Sequence, residues 1–260
     1  MENGNELDPV GLKTAAETGK MITSSTLNFL SSICASWAEE FGEDLSLKRR
    51  HKRLMRVHRL VEESRGKLTH DGANIKLAAD ERVVFDIIDG GSKSDDELLI
   101  SMWGGLLAAS CVEGEPNDTN LIFVDALKVL TTTQAKIIQY ICTNCKVLNI
   151  EDSIVVGVAF TLEIQSLIAI TGIADLGQLN SELEALSARG YFGDGQKGLD
   201  IDFNLGSVKI TSTKFTPTTA LLTLYSKTQG FKGRIADFYV DQVVPLDNDN
   251  WPNALLAVRA

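Results

Sequence analysis

The chain has 260 residues, 44% of them apolar and 23% charged, enough to bury one generous core or two modest ones. Its formal net charge of −10 opposes non-specific attraction of the whole surface to nucleic acid or anionic lipid. No apolar run approaches the ~18 residues that span a bilayer. Four cysteines (Cys34, Cys111, Cys142, Cys145) do not make a disulfide framework in a chain this long, so a reducing cytoplasm is the expected setting.

Residues 1–10 read as a disordered, acidic leader without a secretory signal. From Leu27, the positions Leu27, Leu30, Cys34, Trp37 and Phe41 form a helical stripe that Gly42 interrupts. A second stripe follows at Leu47, Leu54, Val57 and Val61, and between its apolar positions lies a dense basic face: Lys48, Arg49, Arg50, Lys52, Arg53, Arg56 and Arg59. The polar stretch 64–76, "SRGKLTHDGANIK", reads as a loop. Ser94-Asp-Asp-Glu97 has the pattern of a capping box opening the helix "ELLISMWGGLLAAS". Gly104-Gly105 inside that helix costs roughly 1 kcal/mol per glycine relative to alanine, which predicts a close neighbour there.

After a turn at "EGEPNDTN", "LIFVDALKVL" is a second helix, and Thr131-Thr-Thr-Gln134 is a capping box for a third, with Ile137, Ile138 and Ile141 on its face. "TLEIQSLIAITGI" is expected to be a helix ending at Gly172, and Asp175 to cap the next, with its stripe Leu176, Leu179, Leu183 and Leu186 and a stop at Gly190. "YFGDGQKGLDIDFN" and "GSVKITS" read as a small hairpin, and "TPTTALLTLYSKTQG" as a closing helix with Pro217 at its first position. Three helices followed by a hairpin describe a winged helix. The G-x-G-x-x-G formed by Gly193, Gly195 and Gly198 follows a helix and precedes an extended run, the reverse of a dinucleotide fingerprint. These glycines are read instead as positive-φ positions in and beside the hairpin.

"DDELLISMWGGLLAAS" (95–110) and "LIFVDALKVLTTTQAKIIQYI" (121–141) resemble the Abi-alpha family of bacterial proteins. The matching positions are Asp95, Asp96, Glu97, Leu98, Trp103, Leu106, Leu107 and Ala108, then Leu127, Leu130 and Ala135; "LEALSARGYF" resembles the family's leucine-rich helix running into its wing. The family's name implies a role in abortive infection, by which a bacterium blocks phage spread, and the family brings no catalytic motif to carry over. The tail "DNDNWPNALLAVRA" has no place in the pattern. The expected organisation is an N-terminal helical arm with the basic cluster (1–66), a segment resembling the Abi-alpha core (67–118), a winged-helix-like domain (119–240) and a tail (241–260).

Candidate chemistry is sparse. Cys142-Thr-Asn-Cys145 is a lone C-x-x-C, read as two half-buried thiols on one helix face. His70-Asp71 lacks a nucleophile, and Asp200 and Asp202 share one strand face without further metal ligands. The expected recognition helix carries one basic residue, Arg189, against Glu182 and Glu184, and the wing carries Lys197 among Asp194, Asp200 and Asp202. Such a surface repels a duplex, so the domain is read as a protein-docking module. The basic stretch 48–59 is either a solvated face paired with nearby acids or a site for an anionic partner, membrane or nucleic acid.

The sequence therefore predicts a mainly α protein with a small β hairpin, a non-enzymatic interaction component with no cofactor or metal site. Its expected partner is a protein or a second copy of itself. The alternatives are a winged-helix nucleic-acid regulator and an effector peripheral to the inner membrane. Changing Arg49, Arg50, Lys52 and Arg53 to glutamine is expected to spare the fold and abolish function.

Overall fold

The computed structural model describes residues 26, 28–30, 32–33, 47–68, 77–113, 115–150, 154–193, 198–200, 202–204, 207–209 and 212–245, with backbone alone at 47–51, 202–204 and 207–209. The expected leader, most of the first stripe (Leu27, Cys34, Trp37, Phe41), His70-Asp71, Gly195, Lys197 and residues 246–260 lie outside these.

Helix α1 (Leu47–Leu68) turns Val57, Leu60, Val61 and Ser64 inward, all fully buried on one face. It runs through "SRGKL", where the sequence suggests a loop. The Lys67 ammonium donates to the carbonyls of Ser101 (2.8 Å) and Thr228 (3.2 Å), so tertiary bonds hold a last turn that composition does not favour. Strand β1 (Leu77–Ala78) leads into α2 (Glu81–Gly91), which the sequence reading misses. The Asp80 carboxylate caps it by accepting the Val83 N–H, and Val83, Val84, Ile87 and Ile88 form its buried stripe.

Helix α3 (Glu97–Ser110) is apolar all round because it is the centre of the molecule, packed by α1, α2 and the later α8 (Thr219–Thr228). Its cap is Asp96, whose carboxylate accepts from Leu98 and Leu99 N–H, and not Ser94; Glu97 is already the first helical residue. An added Cβ at Gly104 would stand 2.8 Å from the Leu60 carbonyl oxygen of α1. The adjoining Gly105 abuts the Thr228 carbonyl of α8, so both glycines have the close neighbours that the sequence predicts. Strand β2 (Val112–Glu113) pairs antiparallel with β1.

Helix α4 (Leu121–Lys128) precedes α5 (Thr132–Asn144), whose Thr131–Gln134 capping box is complete. Next come β3 (Val147–Ile150) and β4 (Ile154–Gly157), a hairpin, and β5 (Phe160–Glu163). The expected helix at "TLEIQSLIAITGI" is therefore only α6 (Ile164–Thr171). Thr161 and Glu163 are exposed around buried Leu162, a strand alternation, and β5 pairs with the distant β8 (Ser212–Phe215). Gly172 closes α6 at φ 78°, Asp175 caps α7 (Leu176–Ala188), and Gly190 stops it at φ 71°.

The hairpin itself is β6 (Asp202–Asn204) with β7 (Ser207–Lys209). The glycine-rich stretch precedes it: Gly198 has φ 141°, but Gly193 does not take positive φ. Its N–H donates to the Thr216 carbonyl at 2.8 Å in an extended run beside Phe192, which bridges Pro217. Pro217 is likewise not at the first position of α8, because Thr218 caps that helix and Pro217 lies one residue earlier. Helix α5, strand β5, helices α6 and α7, then β6, β7 and β8 follow the winged-helix order. Helix α9 (Ile235–Phe238) and a short 3-10 turn (Val240–Gln242) bring the chain back beside β3. One core runs from Leu30 to Tyr239, with a small second cluster at Leu148 and Val156.

Candidate docking surface

Arg53, Arg56 and Arg59 recur every third residue of α1 and reach the turn between α2 and α3. Arg53 donates to Asp89 at 2.9 Å and to the Ser92 hydroxyl at 3.0 Å. Arg56 donates to Asp95 and, at 3.1 Å, to the Ser92 carbonyl. Arg59 donates to Glu97 at 2.7 Å. Three of the seven basic residues of the cluster thus have internal carboxylate partners. Those partners, Asp89 near the end of α2, Asp95 in the α2–α3 turn and Glu97 at the start of α3, are not the acids flanking the cluster in sequence. Lys52 is exposed; the side chains of Lys48, Arg49 and Arg50 lie outside the described atoms. Burial alone would raise the Asp89 carboxyl, but Lys93 (2.6 Å) and Arg53 outweigh it and hold the group below its ordinary value of 3.8.

Beside this ladder a cleft of about 790 Å³ opens between the α2–α3 turn and the α4–α5 turn. Trp103, Leu99, Leu127 and Leu130, all buried, supply its apolar wall. Asp95, Asp96, Lys93 and Ser94 line it on one side and Lys128, Thr131 and Thr132 on the other. The Lys128 ammonium bonds Asp86 at 2.9 Å, which ties α4 to α2 and raises its pKa. A mixed wall of this volume is in the usual range for a ligand pocket, roughly 300–1,000 Å³. The sequence reading missed it because its two turns are far apart in the chain, although the Asp95-Asp96 pair and the Thr131 cap were each visible.

Helix α7 stands where the sequence reading expects a recognition helix, and Arg189, the exposed residue that caps its C-terminal end, is bonded to the fold. Arg189 donates to the Gln134 side chain at 3.0 Å and to the Val129 carbonyl at 3.3 Å. Glu182 accepts the Thr131 hydroxyl at 2.9 Å, which fixes α7 to the start of α5. The exposed α7 residues Gly177, Gln178, Ser181 and Glu184 are neutral or acidic. At the wing, the Asp200 carboxylate accepts the Lys214 backbone N–H at 2.8 Å, so it holds the strand.

The C-x-x-C thiols are more than half-buried. Cys142 and Cys145 are each 1% exposed, and burial pushes Cys145 up to about 12 and Cys142 well above its ordinary value. Cys111 is raised by burial to about 12. Such thiols carry almost no thiolate near neutrality. Among the described residues, no cluster of three or more His, Cys, Asp and Glu side chains is placed to hold a metal ion. Among them, too, no helix is long and apolar enough to cross a membrane.

A mainly helical core with a carboxylate-bound arginine ladder, a mixed cleft and a hairpin-bearing C-terminal region defines the class. A family model described as Abortive infection alpha matches residues 49–187, more than half of the chain, and the protein belongs to that family. The match takes in the whole ladder and the whole cleft. No curated protein and no solved structure matches the chain.

Proposed function

We propose that this chain is a non-enzymatic interaction component of abortive-infection defence that docks a partner protein at the cleft between the α2–α3 and α4–α5 turns. The cleft carries the reading: it combines an apolar wall with polar groups at its mouth, inside the segment that matches the family. The carboxylates around it are engaged in structure, Asp89 and Asp95 with arginines and Asp96 in a helix cap, which suits recognition better than acid–base work. A protein partner fits better than a duplex because the exposed face of α7 is neutral or acidic, and the arginine at its end, Arg189, is already bonded to Gln134 and the Val129 carbonyl. The test is Ser94→Trp, which fills the cleft from a position whose side chain joins no rung of the ladder. The expected result is an unchanged melting temperature with loss of phage protection in cells carrying the native locus. Plaque counts equal to those of the parent protein would overturn the reading.

A further inference from the structure

The charged groups that line the cleft between the α2–α3 and α4–α5 turns are unequally engaged. Both ammonium groups are bound inside the fold: Lys93 donates to Asp89 at 2.6 Å and Lys128 to Asp86 at 2.9 Å. Two of the three lining carboxylates are matched as well, since Asp89 also takes Arg53 and Asp95 takes Arg56. Asp96 differs. Its Oδ1 accepts the Leu98 and Leu99 N–H groups that cap α3, and among the described residues no cation pairs with this carboxylate. Its Oδ2 receives no donor there, although the residue is only partly covered. Asp95, its side chain 83% exposed, bonds Arg56 through Oδ1 alone. The lining therefore holds free carboxylate oxygens, while each of its ammonium groups already has a partner.

Given docking at that cleft, we infer that the partner segment presents a lysine or arginine beside an apolar anchor. The anchor lies against the wall of Leu99, Leu127 and Leu130, and the cation meets Asp96 with Asp95 beside it. A cation arriving there finds carboxylate oxygens that can accept charge-assisted hydrogen bonds without breaking any internal pair. An acidic segment meets the opposite situation. It has to draw Lys93 from Asp89 or Lys128 from Asp86, and it sets its own charge beside Asp95 and Asp96. Like charges brought together in this way suppress a wrong partner. The net charge of −10 acts in the same direction at long range, favouring the approach of cations over anions. The stem of a lysine or arginine is itself apolar, so it can follow the wall while its charged head stays in water at the mouth.

The test titrates two fluorescent peptides into the full-length protein at low salt. Both have the same leucine–phenylalanine core, flanked by arginines in one and by glutamates in the other. The arginine peptide should bind on the order of tenfold more tightly, and the preference should shrink as salt rises. Ser94→Trp should abolish its binding. Asp96→Asn keeps the cap, because asparagine caps a helix about as well as aspartate, so the melting temperature should hold. In that variant the preference for arginine over glutamate should narrow on the order of fivefold. Damage to the fold would instead weaken both peptides alike. Equal binding of the two peptides, a preference for the glutamate peptide, no binding of either, or an undiminished preference in Asp96→Asn overturns the inference. In cells carrying the native locus, Asp96→Asn should reduce phage protection as Ser94→Trp does. Loss with Ser94→Trp alone leaves docking at the cleft standing and overturns the cationic partner, whereas full protection by both variants overturns docking at the cleft itself.

Discussion

Gly105 of α3 lies against the carbonyl of Thr228, at the C-terminal end of α8, with no room for a side chain between them. That contact lets the central helix touch the last long helix backbone to backbone, while Gly104 on the neighbouring face admits α1. Lys67 closes the same junction, its ammonium shared between Ser101 and the Thr228 carbonyl. Gly105→Ala gains about 1 kcal/mol of helix propensity but forces a methyl group into a backbone oxygen, and overpacking of this kind costs about 1–3 kcal/mol or more. The expected outcome in urea unfolding is net destabilisation with an unchanged slope. A variant as stable as the parent would show that α8 can move away at no cost.

The glycine pair also illustrates what the sequence can disclose. Two glycines inside an apolar helix announce a close approach, but nothing local says that the neighbours are Leu60 and Thr228. Local chemistry reads well: the Thr131–Gln134 box, the Asp175 cap and the Gly172 and Gly190 stops all rest on bonds within a few residues. At Ser94–Glu97 two potential caps compete, and Asp96 wins because it sits directly before the first turn. Strand β5 escapes notice because its partner, β8, is remote, and a four-residue alternation is short beside the apolar run of α6. The ladder is half legible. Its arginines stand out, but their carboxylates lie 36 to 39 residues further on.

Acid should weaken one rung of that ladder. The Asp89 carboxyl is held below its ordinary value in the folded protein, so its pairing contributes stability that is fully present above about pH 4. That contribution is lost as pH falls through the lowered, folded-state value. The difference in unfolding free energy between the parent and Asp89→Asn should therefore be largest near neutrality and shrink in acid. A difference that grows on acidification would mean that burial, not Lys93 and Arg53, governs this carboxyl.

Cys111, Cys142 and Cys145 are buried and, with raised pKa values, are poor nucleophiles. Reaction of the native protein with a colorimetric disulfide reagent at pH 8 should leave these three untouched, and denaturant should release them together. Variants lacking Cys34 isolate the result from that residue. Rapid native labelling of Cys142 or Cys145 would show that the C-terminal end of α5 opens far more readily than its packing allows.

Duplex DNA should not be retarded by the full-length protein even at low salt, where phosphate contacts are strongest. Arg189→Glu should lower the melting temperature, since it strips the bonds to Gln134 and Val129 and places a carboxylate beside a carbonyl oxygen. It should leave DNA behaviour unaltered. A band shifted at low micromolar protein and abolished by Arg189→Glu would identify α7 as a reading helix after all.

The basic face of α1 divides into parts with different expected roles. Arg53, Arg56 and Arg59 repel one another along the helix by a few tenths of a kcal/mol, and Asp89, Asp95 and Glu97 offset that repulsion. Exposed pairs of this kind contribute about 0.2–1 kcal/mol each, so changing all three arginines to glutamine should lower stability measurably. The loss should narrow near 1 M salt, where the Debye length is about 3 Å. Arg53 therefore does not belong in a variant meant to spare the fold, and the quadruple glutamine change at Arg49, Arg50, Lys52 and Arg53 should destabilise through that one residue. Lys52→Gln alone should leave the melting temperature unchanged, because the side chain is exposed beside the ladder. If docking occurs at the cleft, Lys52→Gln should also protect cells from phage as well as the parent does. Loss of protection with an intact fold would instead move the docking surface onto the first turns of α1, and liposome sedimentation with and without anionic lipid would then separate a membrane from a protein.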